Sequence, residues 1–405
     1  MRKRDINWRK IEILIYYHSY YLFSLKLMCE TKKQKLVVIV ILIFIVGAIA
    51  LVLFKVVTFT QNQNQTNSPF LPGQITKAYG VDKLNTTGNG TIIALIDAYD
   101  YPNAQIDFDI FCNTYNLSMQ TLIIHKMTNL TGHYPSFNAD WSIEQAVDIQ
   151  WAHAIAPNAQ IMLVQSFSDG GNDLFDGIVW AINNGANIIS MSWGFGTMSF
   201  DILLDNIFLD GDIVFLASSG DSGSIEDYPA CSPYVMAIGG TRLVLNNDDT
   251  RKEETGWSKS GGGICAIEVA PEYQINSTLG TNSIFRQNPD VSAVADPATP
   301  VSIYCNGEWI GTGGTSVASP IWAGIIAHAN EARRNIKKSF LSTTTVLNAI
   351  YAINIQELSN NNFGTFYDVI NGSTNKYSAH VGYDYLTGIG TPNAHNLIYN
   401  CLLSA

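Results

Sequence analysis

A serine preceded by two glycines opens an apolar helical run at Gly313-Gly314-Thr315-Ser316-Val317-Ala318-Ser319-Pro320. A hydroxyl there lies near unpaired backbone N–H groups and the positive end of a helix dipole, which favours an oxyanion. An N-cap serine with no chemistry would read the same way. The serine has no base of the usual kind. None of the seven histidines stands in a His-Gly-Thr setting, and His153, in Trp151-Ala152-His153-Ala154, reads as structural. Carboxylates are the remaining choice. Glu144 and Asp148 lie four residues apart, on one face of a predicted helix. Their neighbours Ile143, Ala146, Val147, Ile149 and Trp151 leave that helix little polar face. Two acids held together and partly buried have raised or split pKa values. Glu144 is then expected to take the Ser316 proton and Asp148 to share it; the plain alternative is a solvated acidic face. Asp221, in Ser219-Gly220-Asp221-Ser222-Gly223, is either a turn aspartate or, when protonated, an O–H donor to an oxyanion. Such chemistry works in acid.

These groups need a scaffold that brings distant segments together. Short runs rich in Ile, Val and Ala (Thr91–Ile96, Ala159–Gln165, Ile188–Met191, Ile213–Ala217, Val235–Ile238) are apolar on both faces, as buried parallel strands are. Helical stretches are expected at Ser142–Ala154, Leu174–Asn183, Phe200–Phe208 and Val317–Ala329, the last holding Pro320 in its first turn. Alternation of this kind gives an α/β fold, a mostly parallel sheet with helices on both faces. Its site belongs at the carboxyl ends of the strands. Asp97, Ser192-Trp193-Gly194 and Asp221 all follow strands.

Residues 36–54 are nineteen uncharged, almost wholly apolar residues, enough to form one transmembrane helix. They lack the polar face of a core helix and the small-residue cleavage site of a signal peptide. Residues 1–55 hold ten Lys/Arg against three acids, so the positive-inside rule places residues 1–35 in the cytoplasm and the remainder outside. Residues 55–70 read as a polar linker and 71–405 as one domain, with Met28 an alternative start. Beyond residue 55 there are 13 basic and 31 acidic residues, a balance that excludes nucleic-acid binding. Five cysteines beyond residue 55 form neither a disulfide framework nor a metal motif, and their pairing stays open. Seven Asn-x-Ser/Thr sequons fit export. No phosphate loop, CxxC or HExxH is present, so nucleotide and zinc chemistry have no support. Near the C-terminus, Asp368 and Asp384 offer two carboxylates which, with backbone carbonyls, would suit Ca²⁺, although loop acids without an ion are common.

Taken together, IALIDAY, WSIEQAVDIQWAHAIAP, SMSWG, SSGDSG, NPDVSAVADP, GGTSVASPIWAG and GYDYLTGIGTPN resemble, in order, the sedolisin family of serine-carboxyl peptidases, which have a subtilisin-like fold. GTSxxxP alone would fit subtilisins as well; the Glu144-x-x-x-Asp148 helix with Asp221 is the specific part. The resemblance implies Ser316 as nucleophile, Glu144 as base, Asp148 as its proton-sharing partner and Asp221 as oxyanion acid, with Asp97 and Trp193 extending the network. It implies that the Ser192, Trp193 and Gly194 edge binds substrate backbone. It also implies one structural Ca²⁺ held by Asp368 and Asp384 with the carbonyls of Val369, His380 and Gly382. His380 stands where the family usually has glycine. The expected protein is an acid-acting endopeptidase of proteins and peptides, anchored outside a cell membrane. A tripeptidyl exopeptidase and an inactive binding protein are the alternatives. Sedolisins normally carry a long prodomain. An anchor and spacer standing in its place would imply unassisted folding, help from a separate prodomain-like chain, or no need of a zymogen.

Overall fold

Eight short strands gather the apolar runs into one sheet: β1 (Ile92–Ala98), β2 (Ile123–Lys126), β3 (Gln160–Ser166), β4 (Ile188–Met191), β5 (Val214–Ser218), β6 (Met236–Leu245), β7 (Arg251–Gly256) and β8 (Val291–Val294). Their order is β8-β6-β5-β4-β1-β3-β2, with β7 added to β6. Every pairing is parallel except β6 with β7. The computed structural model describes residues 68–209, 211–224, 227–281, 283–354 and 364–405, and residues 67–405 make one compact unit. The expected cytoplasmic segment, the apolar span and nearly all of the linker lie outside the described residues. Among the described residues no helix is long and apolar enough to cross a membrane.

Two-residue alternation sorts the strand side chains into two cores. Ile93, Leu95, Ile161, Leu163, Ile188 and Leu216 belong to the larger one, Ala94, Ile96, Met162, Val164, Ile189 and Phe215 to the other. The larger core also takes Ala146, Val147 and Trp151 of α2 (Ala139–Ile155) and Val317, Ala318 and Ile321 of α4 (Thr315–Asn335). It further takes Phe108 and Phe111 of α1 (Ala104–Tyr115). The opposite core takes Leu174, Phe175 and Ile178 of α3 (Gly171–Asn183). Asp97 continues the Ile93, Leu95 series, so it projects toward the side that carries α2 and α4.

Three expectations are corrected or completed here. Phe200–Phe208 is not an α-helix: two 3₁₀ turns, Asp201–Leu203 and Asp205–Leu209, take its place. Asp201 Oδ2 accepts the Met198 N–H at 2.6 Å, which fixes the entry to the first of these turns. Pro320 is not in the first turn of α4 but inside it. Its ring nitrogen cannot donate to the Ser316 carbonyl one turn back, and Ser192 Oγ comes within 3.5 Å of that carbonyl instead. Of the cysteines, Cys231 and Cys265 are joined with their Cα atoms 5.7 Å apart, while Cys112 and Cys305 are buried thiols.

Candidate active site

Two helices and three strand ends build the site. Asn138 caps α2 by accepting from the N–H groups of Asp140 and Trp141. Glu144 and Asp148 follow one turn apart, on the side where α2 meets α4 and β1. Gly324 lets the two helices approach: a Cβ there would stand 2.6 Å from Ile155 Cβ. The pair runs in the same sense, so the turn carrying Ser316 adjoins the turn carrying Glu144. Gly314, at φ +130°, turns the chain into α4. A Cβ on it would come within 2.7 Å of Asp221 Oδ2, so only glycine allows Asp221 to reach this close.

Ser316 is half-buried, and its Oγ donates to the Ser192 carbonyl at 3.4 Å. Glu144 faces this hydroxyl. Burial pushes its carboxyl up to about 7; the Ser316 hydroxyl opposes that rise and the Asp221 charge adds to it. Asp148 and Asp97 are wholly buried. Burial raises Asp148 well above the usual carboxylate range, with Asp97 and Glu144 adding to the rise and Ser192 opposing it. Burial likewise raises Asp97, and Glu144 adds to it. The electrostatic neighbours of these three acids are one another, Asp221 and two serines, with no cation among them. Both Asp97 oxygens, Glu144 Oε1 and Asp148 Oδ2 are buried without a hydrogen-bond partner. Burying carboxylates in this way is costly unless they hold protons. The cluster is built to share protons next to a hydroxyl.

Asp221 is exposed, unlike the other three acids. Its Oδ1 accepts the Thr315 N–H and the Thr315 hydroxyl, both at 2.8 Å, and the Gly220 N–H donates to Thr315 Oγ1 at 3.2 Å. Oδ2 is thereby held over Gly314, at the start of the turn that carries Ser316.

The Ser192–Gly194 segment divides its work. Ser192 Oγ donates to Asp148 Oδ1 at 2.7 Å, a contact that sequence reasoning did not foresee. Trp193 Nε1 donates to the Ile96 carbonyl at 2.8 Å, and its ring packs edge-on to Phe175. Only Gly194 is exposed. Ser192 and Trp193 are therefore tied inward by their side chains, leaving backbone as what this edge can offer a ligand.

The five residues proposed for calcium meet in one pair of loops. Asp384 Oδ2 accepts the His380 N–H at 3.1 Å, and Asp368 Oδ2 accepts the Gly382 N–H at 2.9 Å. Asp384 Oδ1 accepts the N–H groups of Leu386 and Thr387. Burial raises Asp384 to about 6 against these backbone donors, and it raises Asp368 as well. His380 is exposed, and its ring Nδ1 lies 3.1 Å from the Val381 carbonyl. Among the described residues no group of three or more His, Cys, Asp or Glu converges as a metal centre. The side-chain donors here are two carboxylates, oxygen ligands of the kind a hard cation takes.

Similarity to known proteins follows the same geometry. The subtilase family model matches residues 136–383, more than half of the chain. Kumamolisin of Bacillus sp. (strain MN-32) is 30% identical over 300 residues, 65% of this chain and 51% of the relative. Sedolisin of Pseudomonas sp. (strain 101) is 26% identical over 79% of this chain and 59% of its own length. Tripeptidyl-peptidase 1 of Dictyostelium discoideum is 26% identical over 84% of this chain and 60% of its own. The chain thus spans half to three fifths of the length of these relatives. Among solved structures, Pseudomonas sedolisin, a serine-carboxyl proteinase complexed with pseudo-iodotyrostatin, superposes with a TM-score of 0.72 at 24% identity, covering 82% of this chain and 98% of that one. With Ser316 at the head of α4 and acids where a histidine would stand, the chain belongs to the subtilase family, on its sedolisin branch.

Proposed function

We propose that this chain is a serine-carboxyl endopeptidase that hydrolyses proteins and peptides in acid. The observation that carries the reading is a buried cluster of acids without a cation, set directly against the half-buried Ser316 hydroxyl. Glu144 accepts the Ser316 proton as Oγ attacks the scissile carbonyl, and Asp148 and Asp97 share the charge. Asp221, held over Gly314, is the side chain placed to meet the oxyanion. Glu144 then returns the proton to the leaving amine, giving an acyl-enzyme on Ser316 that water hydrolyses by the reverse steps. The Ser192–Gly194 backbone is the edge against which an extended substrate would pair. Asp368 and Asp384, with the carbonyls of Val369, His380 and Gly382, would hold one Ca²⁺, whose charge offsets two raised carboxylates.

The reading extends to place. The apolar run at residues 36–54 would anchor the chain with its catalytic unit outside the membrane. Fractionation of cells before and after deletion of residues 1–55 tests this: the activity should leave the membrane fraction.

Hydrolysis of an unfolded protein by the full chain in detergent, from pH 2 to 8, tests the chemistry. Acid-limited cleavage lost in Ser316→Ala and Glu144→Gln is expected; cleavage surviving the Glu144 change rejects the base assignment. The relatives named tripeptidyl-peptidases favour a second reading, release of tripeptides from free N-termini. Blocking the substrate N-terminus separates the two, because only the exopeptidase would stop.

A further inference from the structure

A second buried set of acids lies apart from the catalytic cluster. Asp201 and Asp205 sit in the two 3₁₀ turns, and Glu268 sits on the Gly263–Val269 strand. They are 6%, 6% and 2% exposed. Asp205 and Glu268 line one cavity of about 420 Å³ with Tyr234 and Tyr273. Their carboxyl groups face one another, within reach of a shared proton. Asp205 Oδ1 accepts the Tyr228 hydroxyl at 2.9 Å, whereas Glu268 Oε1 is buried with no partner. The strand carrying Glu268 is irregular here. Gly263, Ile264 and Cys265 pair in step with Asn288, Gln287 and Arg286, then the register slips and only Val269 pairs again, with Phe285. Residues 266–268 therefore bulge out of the ladder, and the Glu268 side chain is what reaches the turns.

Two carboxyl groups in contact attract only through a proton; as two carboxylates they repel. We propose that Asp205 and Glu268 form a proton-dependent clasp, fastening the 266–268 bulge to the 201–209 turns in acid and releasing it near neutrality. The surroundings favour it. Asp201, from the same turns, adds negative charge, and Glu272 of the Glu272–Ile275 turn lines the cavity. Burial raises the Tyr228 and Tyr273 hydroxyls further above this range, so both stay neutral through it. The nearest cation, Arg286, is already held by Asp290 at 2.7 and 2.6 Å. Burial, aided by Asp205 and Asp201 and opposed by Arg286, pushes Glu268 up to about 7. Cys265 stays joined to Cys231, so release is confined to the bulge and the turns. Those turns matter to the substrate edge: Met198, Phe200, Asp201 and Leu204 wall an apolar cavity with Phe195 and Gly196, next to exposed Gly194. Opening the clasp loosens that wall.

Amide exchange of the full chain in detergent, at pH 4 and pH 7.5 with intrinsic rates corrected, tests the clasp. Protection of residues 198–209 and 266–269 should fall at least tenfold at pH 7.5 in the native chain. In Glu268→Gln it should persist, because an amide donates to the Asp205 carboxylate at either pH. In Glu144→Gln it should fall as in the native chain. Equal protection at both pH values in the native chain, or the native loss in Glu268→Gln, overturns the proposal. If Glu268→Gln does not fold, Asp205→Asn poses the same question with the amide on the other side. The effect on activity, a rise in KM near neutrality that Glu268→Gln removes, rests on the peptidase reading. Absence of any hydrolysis would sink that reading and leave the exchange result standing.

Discussion

Asp148 and Asp290 are both wholly buried aspartates, yet the fold surrounds them in opposite ways. Asp290 is fully partnered. Arg286 meets it with two N–H donors, the Tyr351 hydroxyl donates at 2.7 Å and the Ala237 N–H at 2.7 Å. Asp148 has one hydroxyl, from Ser192, and two further acids. The first arrangement neutralises a charge permanently. The second leaves charge to be neutralised by protons, which come and go with pH and with each catalytic step. One cluster holds β8 and its neighbours together; the other stores the instability that makes a base of Glu144.

The contrast is broken most severely at the site itself. Glu144→Gln should lower kcat about 10⁴-fold, the scale of losing one member of a catalytic unit, while the melting temperature at pH 7 stays or rises. A large loss of stability instead would mean that Glu144 is structural. Arg286→Met should do the reverse, destabilising by about 3–5 kcal/mol because a buried ion pair would lose its cation. Denaturant unfolding at pH 7 reads this directly, and a change below about 1 kcal/mol would reject the contrast. Asp221→Asn should cost about 10²–10³-fold in rate, as one weakened oxyanion donor does. Removing calcium, by melting in chelator and with calcium restored, should cost about 2.7 kcal/mol where the ion stands at 100 times its Kd. The smallest effect is the pH dependence of stability. Glu144, Asp148 and Asp97 have folded pKa values above their unfolded ones, so the folded chain binds the extra protons and stability falls as pH rises from about 4 through 7. The melting temperature should be a few degrees higher at pH 4 than at pH 7, and Glu144→Gln should shrink the difference.

Much of this was legible from residue types. The strands show because runs apolar on both faces have few other uses, and Asp97, Ser192 and Asp221 show because they end such runs. Glu144 and Asp148 share a helix face by arithmetic. What sequence hid was tertiary. The 200–208 segment has helical composition, but it folds as two 3₁₀ turns with Ile202 and Leu203 facing solvent. Ser192 read as a substrate contact because only the folded chain lays it on Asp148. Pairing of Cys231 with Cys265 needed the hairpin brought beside the loop at residues 229–235. Pro320 was placed a turn too early, because the start of α4 depends on the Gly314 turn against Asp221.

Gly324 lets α2 and α4 pack closely at Ile155. The spacing between position 144 and Ser316 is then set by backbone packing two turns away, not by the groups that react. Position 144 behaves as a socket: a different side chain placed there starts from the same backbone position beside the hydroxyl. A histidine in that socket would exchange the proton chemistry of the site without moving its frame, and the working pH of such a variant would report how far the frame alone determines the reaction.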